Sequence, residues 1–189
     1  MNAPFRLARS VIRVSGPDAV AFLDDLLTQA ISTDAPVRYA ALLTPQGKII
    51  TDMLLWREGD GADGVLIELD PSRADDTLRR LSMYKLRARV TIGVASGRVS
   101  ALWAPPPSAL HGGVPDPRMP TGALGSRAIS FGDAYSSCAN GDLAFDSTRI
   151  ALGVPDLARD AQPEEVFALE ALLEELNGVD FQKGCFVGQ

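Results

Sequence analysis

The chain has 189 residues, 46% of them hydrophobic, which is enough apolar material for one good core or two small ones sharing an interface. Its 24 acidic and 18 basic residues leave a net charge of -6, which argues against a dedicated nucleic-acid binder with its basic face. No apolar run approaches the roughly 18 residues of a membrane span, the opening MNAPFRLARSVIRVSG lacks the apolar block of a secretory leader, and the distant Cys138 and Cys185 make no disulfide framework; a reduced, cytoplasmic protein is expected.

Residues 9–14 (RSVIRV) form a short β-rich run. Ser15 or Gly16 then caps a helix that opens on Pro17 and Asp18 and carries apolar residues at helical spacing as far as Thr28. Residues 39–43 and 49–56 are two apolar runs around Thr44-Pro45-Gln46-Gly47-Lys48, a turn sequence, and predict a hairpin. A strand over 65–69 leads into Asp70-Pro71-Ser72, a helix start, and Leu78, Leu81 and Tyr84 mark that helix's inner stripe. Residues 88–93 and 98–103 alternate like strands joined by a tight Ala-Ser-Gly turn.

Residues 1–104 thus read as β-α-β-β twice over, an α+β architecture of antiparallel or mixed sheets with helices on one side. Residues 105–122 lie in a Pro/Gly-rich linker (APPPSALHGGVPDPRMPTG begins at Ala104) that cannot sustain regular structure. Residues 123–189 form a smaller α+β part, with short strands at 128–131 and 143–145 and a segment at 147–152 that stops at Gly153-Val154-Pro155. A helix is predicted from Pro163 to Leu176, with Val166, Leu169, Leu172, Leu173 and Leu176 as its stripe and Asn177-Gly178 as its stop.

The chain closes on GVDFQKGCFVGQ, preceded by LEALLEEL. This stretch resembles the Lys-Gly-Cys-Tyr/Phe-x-Gly-Gln-Glu signature of the YgfZ-like folate-binding proteins, relatives of the glycine-cleavage aminomethyltransferase (T-protein). VIRVSGPDAVAFLDDLLTQ, ALLTPQGKIITDMLLW, LRRLSMYKLRARVTI and RIALGVPD are similar to further family segments in the right order. The closing motif is specific; the others are weak singly. The resemblance implies a T-protein/YgfZ N-terminal-like fold and a C-terminal barrel domain beyond the signature, which this sequence does not include. It also implies a folate site and a role in iron–sulfur cluster assembly.

Several residues are candidates for chemistry. Cys185 has small or turn-forming neighbours that leave a sulfur approachable, and Lys183 is of the type that stabilises a thiolate; the competing reading is a small hydrophobe in a turn. Asp52 matches the second carboxylate of the transferases' Gly-Gly-x-x-Asp-Asp, which lies beside the reacting folate nitrogen, although Thr51 and Lys48 break the pattern. Glu170 matches an acidic family position suited to the amino-pyrimidine edge of a pterin, or else is a solvated helix charge. Tyr84, Arg87 and Arg149 could offer a ring face and cations to a folate, or serve as core plug and surface charge. One thiolate cannot hold a cluster that wants about four ligands, so a transient or shared role is the sensible version. His111, the single histidine, has no ligand-type neighbour, and no metal site is expected.

The reading that follows is a folate-binding accessory protein of iron–sulfur cluster assembly or repair with a reactive Cys185. Its cofactor would be tetrahydrofolate or a derivative, and its partners iron–sulfur assembly or client proteins. The alternatives are a folate-dependent aminomethyltransferase-like transferase, and a non-catalytic truncated interaction module that associates as a homodimer. Enzymatic activity is left open.

Overall fold

The computed structural model describes residues 3–31, 35–58, 64–103, 113–119, 121–133 and 136–189. The elements in chain order are β1 (Phe5–Leu7), β2 (Ser10–Ser15), α1 (Ala19–Asp24), β3 (Val37–Leu43), β4 (Ile49–Arg57), β5 (Gly64–Leu69), α2 (Pro71–Tyr84), β6 (Thr91–Ala95), β7 (Arg98–Leu102), β8 (Val114–Pro115), β9 (Ser126–Ser130), α3 (Asp142–Ala151) and α4 (Leu157–Asp160). They build the expected α+β class. One antiparallel sheet runs β3-β4-β5-β2-β6 and a smaller one runs β1-β7-β9-β8.

The larger sheet is the middle layer, and the pleat of β4 shows why. Met53 and Leu55 point into a core shared with α1 and α2, where Phe22, Leu23 and Leu81 meet Ile12 and Ile67. Leu54 and Trp56 point the other way, into a core shared with Phe5, Leu7, Val99 and Ala101 of the smaller sheet. A strand buried on both faces loses its polar alternation, so β4 reads as an almost unbroken apolar run. Each fully buried aliphatic side chain here contributes on the order of 1.5–3 kcal/mol.

Between the sheets the second core holds charges. Glu68 of β5 and Arg127 of β9 are paired, and Arg127 Nη2 also reaches Asp116 Oδ2 at 3.0 Å. Asp116 accepts from Arg118 Nη2 at 2.8 Å and from its Nε at 3.0 Å, and Trp56 Nε1 donates to Glu68 Oε2 at 3.0 Å. Burial opposes ionisation of Asp116, yet the guanidiniums of Arg118 and Arg127 hold its carboxyl well below the usual range. Asp116 and Arg118 come from the Pro/Gly-rich stretch, so that stretch supplies half of the ionic chain. Strands from both sides of it share one sheet and one core.

The hairpin, β5 and α2 match their sequence patterns; Asp70 caps α2 by accepting from Ser72 N–H at 2.9 Å, with Pro71 at its first position. Four readings are corrected. First, α1 stops at Asp24, because Leu27 and Thr28 turn to bond the edge of β3 instead. Second, β6 begins at Thr91, and it and β7 form no hairpin: the chain changes sheets at Ser96-Gly97, where a Cβ on Gly97 would press on Ile129 and Phe131. Third, residues 143–145, read as a strand, belong to α3. Fourth, no α-helix spans 163–176. Glu164 and Leu172 adopt left-handed backbone, and residues 164–166 pair with Ile49 through Ile49 N–H to Val166 C=O (2.9 Å) and Glu164 N–H to Ile49 C=O (2.7 Å).

Arg127→Met removes the cation between two buried carboxylates. The expected loss is about 3–5 kcal/mol, read as a lowered urea midpoint with an unchanged slope. A midpoint equal to that of the wild type would show that the ionic chain does not hold the sheets together.

Candidate functional site

The closing segment owes its shape to other parts of the chain. The β3–β4 turn is closed by Gly47 N–H to Thr44 C=O at 2.9 Å and Thr44 N–H to Lys48 C=O at 2.8 Å. Gly47 and Gly188 both have φ of +84°, a conformation that glycine adopts at no steric cost. A Cβ on Gly188 would overlap the Thr44 carbonyl and crowd Leu43, and one on Gly47 would meet the Gly188 carbonyl at 3.1 Å. The Pro-Gln-Gly-Lys turn and the Cys-Phe-Val-Gly-Gln stretch therefore interlock backbone on backbone.

Upstream, Thr28 fastens the segment to β3. Its hydroxyl accepts from Ala41 N–H at 2.8 Å and donates to Gly178 C=O at 2.6 Å, while its own C=O accepts from Asp180 N–H at 3.0 Å. Gln29 Nε2 adds a bond to Asn177 C=O at 2.9 Å. Lys183 completes the anchoring. Its ammonium donates to the carbonyls of Asp24, Leu27 and Gln29 at 2.6, 2.7 and 3.3 Å and lies 5.3 Å from the centre of the Phe186 ring. Those carbonyls lie at and just beyond the C-terminal end of α1, where a cation is favoured. Burial lowers the pKa of Lys183, with Asp24, Asp180 and Asp25 opposing the shift. All three ammonium protons have carbonyl acceptors, and these bonds hold the segment that carries Cys185.

Cys185 is exposed. Its neighbour Phe186 lines an apolar cleft of about 530 Å³ together with Leu43, Phe167, Leu169 and Phe181. Glu170 lies beside the lining residues Phe167–Leu169 in sequence, and its Oε2 accepts from Phe167 N–H at 2.9 Å. Phe181 and Leu169 are more than half exposed, so the cleft is a substantial open apolar surface.

The other candidates lie apart. Asp52 is buried between the sheets, accepting from Tyr39 Oη at 3.0 Å. Burial raises its pKa, against the pull of Arg9 and Arg118. Tyr39 is raised as well, by burial and then by the charge of Asp52. Arg149 is buried in α3, paired with Asp146 and Asp160 at 2.6 Å each, and borders a polar cavity of about 30 Å³ that it shares with Arg9, Arg118, Arg127 and Asp156. That volume suits one or two waters rather than a ligand. Tyr84 ends α2 half-buried against the helix-side core, and Arg87 is exposed beyond it. His111 lies outside the described residues. Thr28, Gln29, Phe181 and the Asp116–Arg118 pair were not singled out as site residues from the sequence; the one available signal was that LLTQ and PDPR carry polar residues against apolar or proline neighbours. Among the described residues no group of three or more His, Cys, Asp or Glu is placed to hold a metal ion, and no helix is long and apolar enough to cross a membrane.

No family model matches the chain. It is 32% identical to the protein named iron–sulfur cluster assembly factor IBA57 homolog, mitochondrial, of Neurospora crassa, over 96% of this chain and 47% of that one. It is 31% identical to the mitochondrial iron–sulfur cluster assembly factors IBA57 of Homo sapiens and Mus musculus, over 99% and 98% of this chain and 60% of each of those. The resemblance to the YgfZ-like family is borne out by this relatedness along nearly the whole chain, and the chain spans about half to three fifths of the length of these relatives. A solved aminomethyltransferase T of the glycine cleavage system from Bartonella henselae superposes with a TM-score of 0.47 and 22% identity, over 52% of this chain and 28% of that one. The cytoplasmic placement is overturned: the curated relatives are named mitochondrial. Unpaired cysteines report a reducing environment, which is not unique to the cytoplasm.

Two outcomes test this geometry. Lys183→Met should speed amide exchange across residues 180–189 by about tenfold or more, while iodoacetamide labels Cys185 at least as fast as before; slower labelling would instead make Lys183 a thiolate stabiliser. Asp52 gives a pH signature. The folded state holds its proton to higher pH than the unfolded chain, so that contribution is complete below about pH 4 and fades as pH rises through the folded value. Asp52→Asn should therefore gain stability relative to wild type in urea titrations as pH rises from about 4 to 7, and parallel curves would contradict the assignment.

Proposed function

We propose that this chain, a relative of the mitochondrial iron–sulfur cluster assembly factors, is an accessory component of cluster assembly or repair that presents Cys185 beside a folate-binding cleft. The observation that carries the reading is the exposed sulfur on a segment pinned at both ends, next to an apolar hollow large enough for a small-molecule ring system.

The residues present suit a pterin. Phe167, Phe181 and Phe186 offer ring faces, and Gln46 and Gln189 border the same cleft with amides that can meet a polar ring edge. Glu170 uses one carboxylate oxygen on Phe167 N–H and has the other for donors on that edge. Tetrahydrofolate, when bound, would supply a reduced pterin beside the thiol. The protein's own contribution is to hold that ring against apolar walls and keep Cys185 in reach of an incoming cluster. A single thiolate makes Cys185 a shared or passing ligand, with the remaining ligands coming from a donor or client protein. The exposed apolar residues offer the same surface to a second copy, and a homodimer would compete with the ligand for it.

Nothing in the geometry favours one-carbon transfer. Asp52, its expected electrostatic partner, is buried against Tyr39 between the sheets and is not among the residues lining the cleft. Calorimetry with tetrahydrofolate should show binding that Phe181→Ala weakens about tenfold or more and that Cys185→Ser leaves intact. A preformed glutathione-ligated two-iron, two-sulfur cluster added anaerobically should keep its visible absorption with wild type and lose it with Cys185→Ser. Absence of folate binding would remove the cleft's role, and equal cluster retention by both proteins would remove the sulfur's.

A further inference from the structure

The two sheets have four outer edges; two of them are bonded by other parts of the chain and a third is very short. Thr28 bonds β3 through its backbone and its hydroxyl. Residues 139–141 cover β1, with Arg6 N–H to Ala139 C=O at 2.8 Å and Gly141 N–H to Arg6 C=O at 2.9 Å. The β8 edge is two residues long. The fourth edge is β6. It pairs with β2 along its five residues, and among the described residues no backbone or side-chain group bonds its outer side.

Natural edge strands are usually blunted by charge, proline or a bulge. β6 (TIGVA) has none of these. Val94 is 70% exposed, and a Cβ built on Gly93 meets nothing within 4 Å. The approach to the strand is basic and apolar at once: Lys85-Leu86-Arg87 precede it, Leu86 is 89% exposed, and among the described residues Lys85 and Arg87 make no ion pair.

We propose that β6 is a docking edge for an extended acidic segment of a partner protein, which adds to the larger sheet as a sixth, antiparallel or parallel strand. Outward-facing amides and carbonyls of alternate residues would supply the main-chain bonds, as in other strand-addition complexes. Carboxylates on the incoming segment would meet Lys85 and Arg87, and its apolar side chains would lie against Val94 and Leu86. A second copy of this chain fits poorly. In a pairing of two β6 strands neither strand brings a carboxylate to meet Lys85 and Arg87, and both copies carry net negative charge overall. The proposal does not depend on Cys185 or on the cleft.

The test uses the full chain and a blocked seven-residue peptide of alternating valine and glutamate, with lysine in place of glutamate as the control peptide. Hydrogen exchange followed by NMR should show the outward amides among Thr91–Ala95 slowed about tenfold or more by the acidic peptide and unaffected by the basic one. The double variant Lys85→Glu/Arg87→Glu and the single variant Val94→Glu, at exposed or half-buried positions, should each weaken the acidic peptide about tenfold or more. Three results would overturn the proposal: no protection of β6 at millimolar acidic peptide, equal protection by both peptides, or protection that grows with protein concentration in the absence of peptide. The last result would assign the edge to a second copy.

Discussion

The chain of alternating charges from Glu68 through Arg127 and Asp116 to Arg118 is the constraint on which the architecture turns. Two sheets facing each other across an apolar layer are held by non-directional attraction, which specifies alignment less sharply than a buried ion pair does. Arg127 must meet both Glu68 and Asp116, and any shift that broke one pair would leave a charge in a dry interior at a cost of several kcal/mol. The hydrophobic layer supplies the attraction and the ionic chain selects the alignment. Arg118 passes that alignment on, with its guanidinium 5.6 Å from the centre of the Tyr39 ring, and Tyr39 in turn donates to Asp52.

A second constraint shapes the closing segment, which contains no helix or strand of its own. It is stabilised by attachment: Thr28, Gln29 and Lys183 tie residues 177–183 to β3 and to the carbonyls at and beyond the end of α1, and Gly188 seats against the β3–β4 turn. Residues that appear as two separate sequence motifs, Pro-Gln-Gly-Lys and Lys-Gly-Cys-Phe-x-Gly-Gln, are thus the two halves of one contact. The lysine of the second motif sits two residues from the sulfur, yet its protons go to backbone.

The difference between local and distant contacts also explains which features were readable beforehand. Hairpin, strand and helix signals that depend on local chemistry were clear: the Pro-x-Gly turn, the Asp-Pro-Ser cap, the apolar runs of β4 and β5. Signals that tertiary contacts override were misleading. The apolar spacing of residues 166–176 fits a helix, but only Ala171, Leu173 and Leu176 are buried, because backbone pairing with Ile49 costs the segment its regular turns. The β6–β7 pair looks like a hairpin because nothing local records that the strands enter different sheets. Asp116 and Arg118 were hidden because a Pro/Gly-rich composition describes the backbone and says nothing about side chains that reach into a core. The exposed Cys185 could be identified from the signature, whereas the role of Lys183 required knowing what lies across from it.

The buried ionisable groups and the exposed sulfur occupy different parts of this molecule. Ionisable side chains that could run acid–base chemistry, Asp52 and Tyr39 among them, are sealed between the sheets, and their burial favours neutral forms over charged ones. The cleft beside Cys185 is lined by phenylalanines, aliphatics and two amides, with no buried acid–base pair among its walls. The cleft offers apolar walls, and the anchored segment holds Cys185 exposed beside Phe186 at its border. The fold thus seals its buried ionisable groups between the sheets and leaves the Cys185 thiol at the surface.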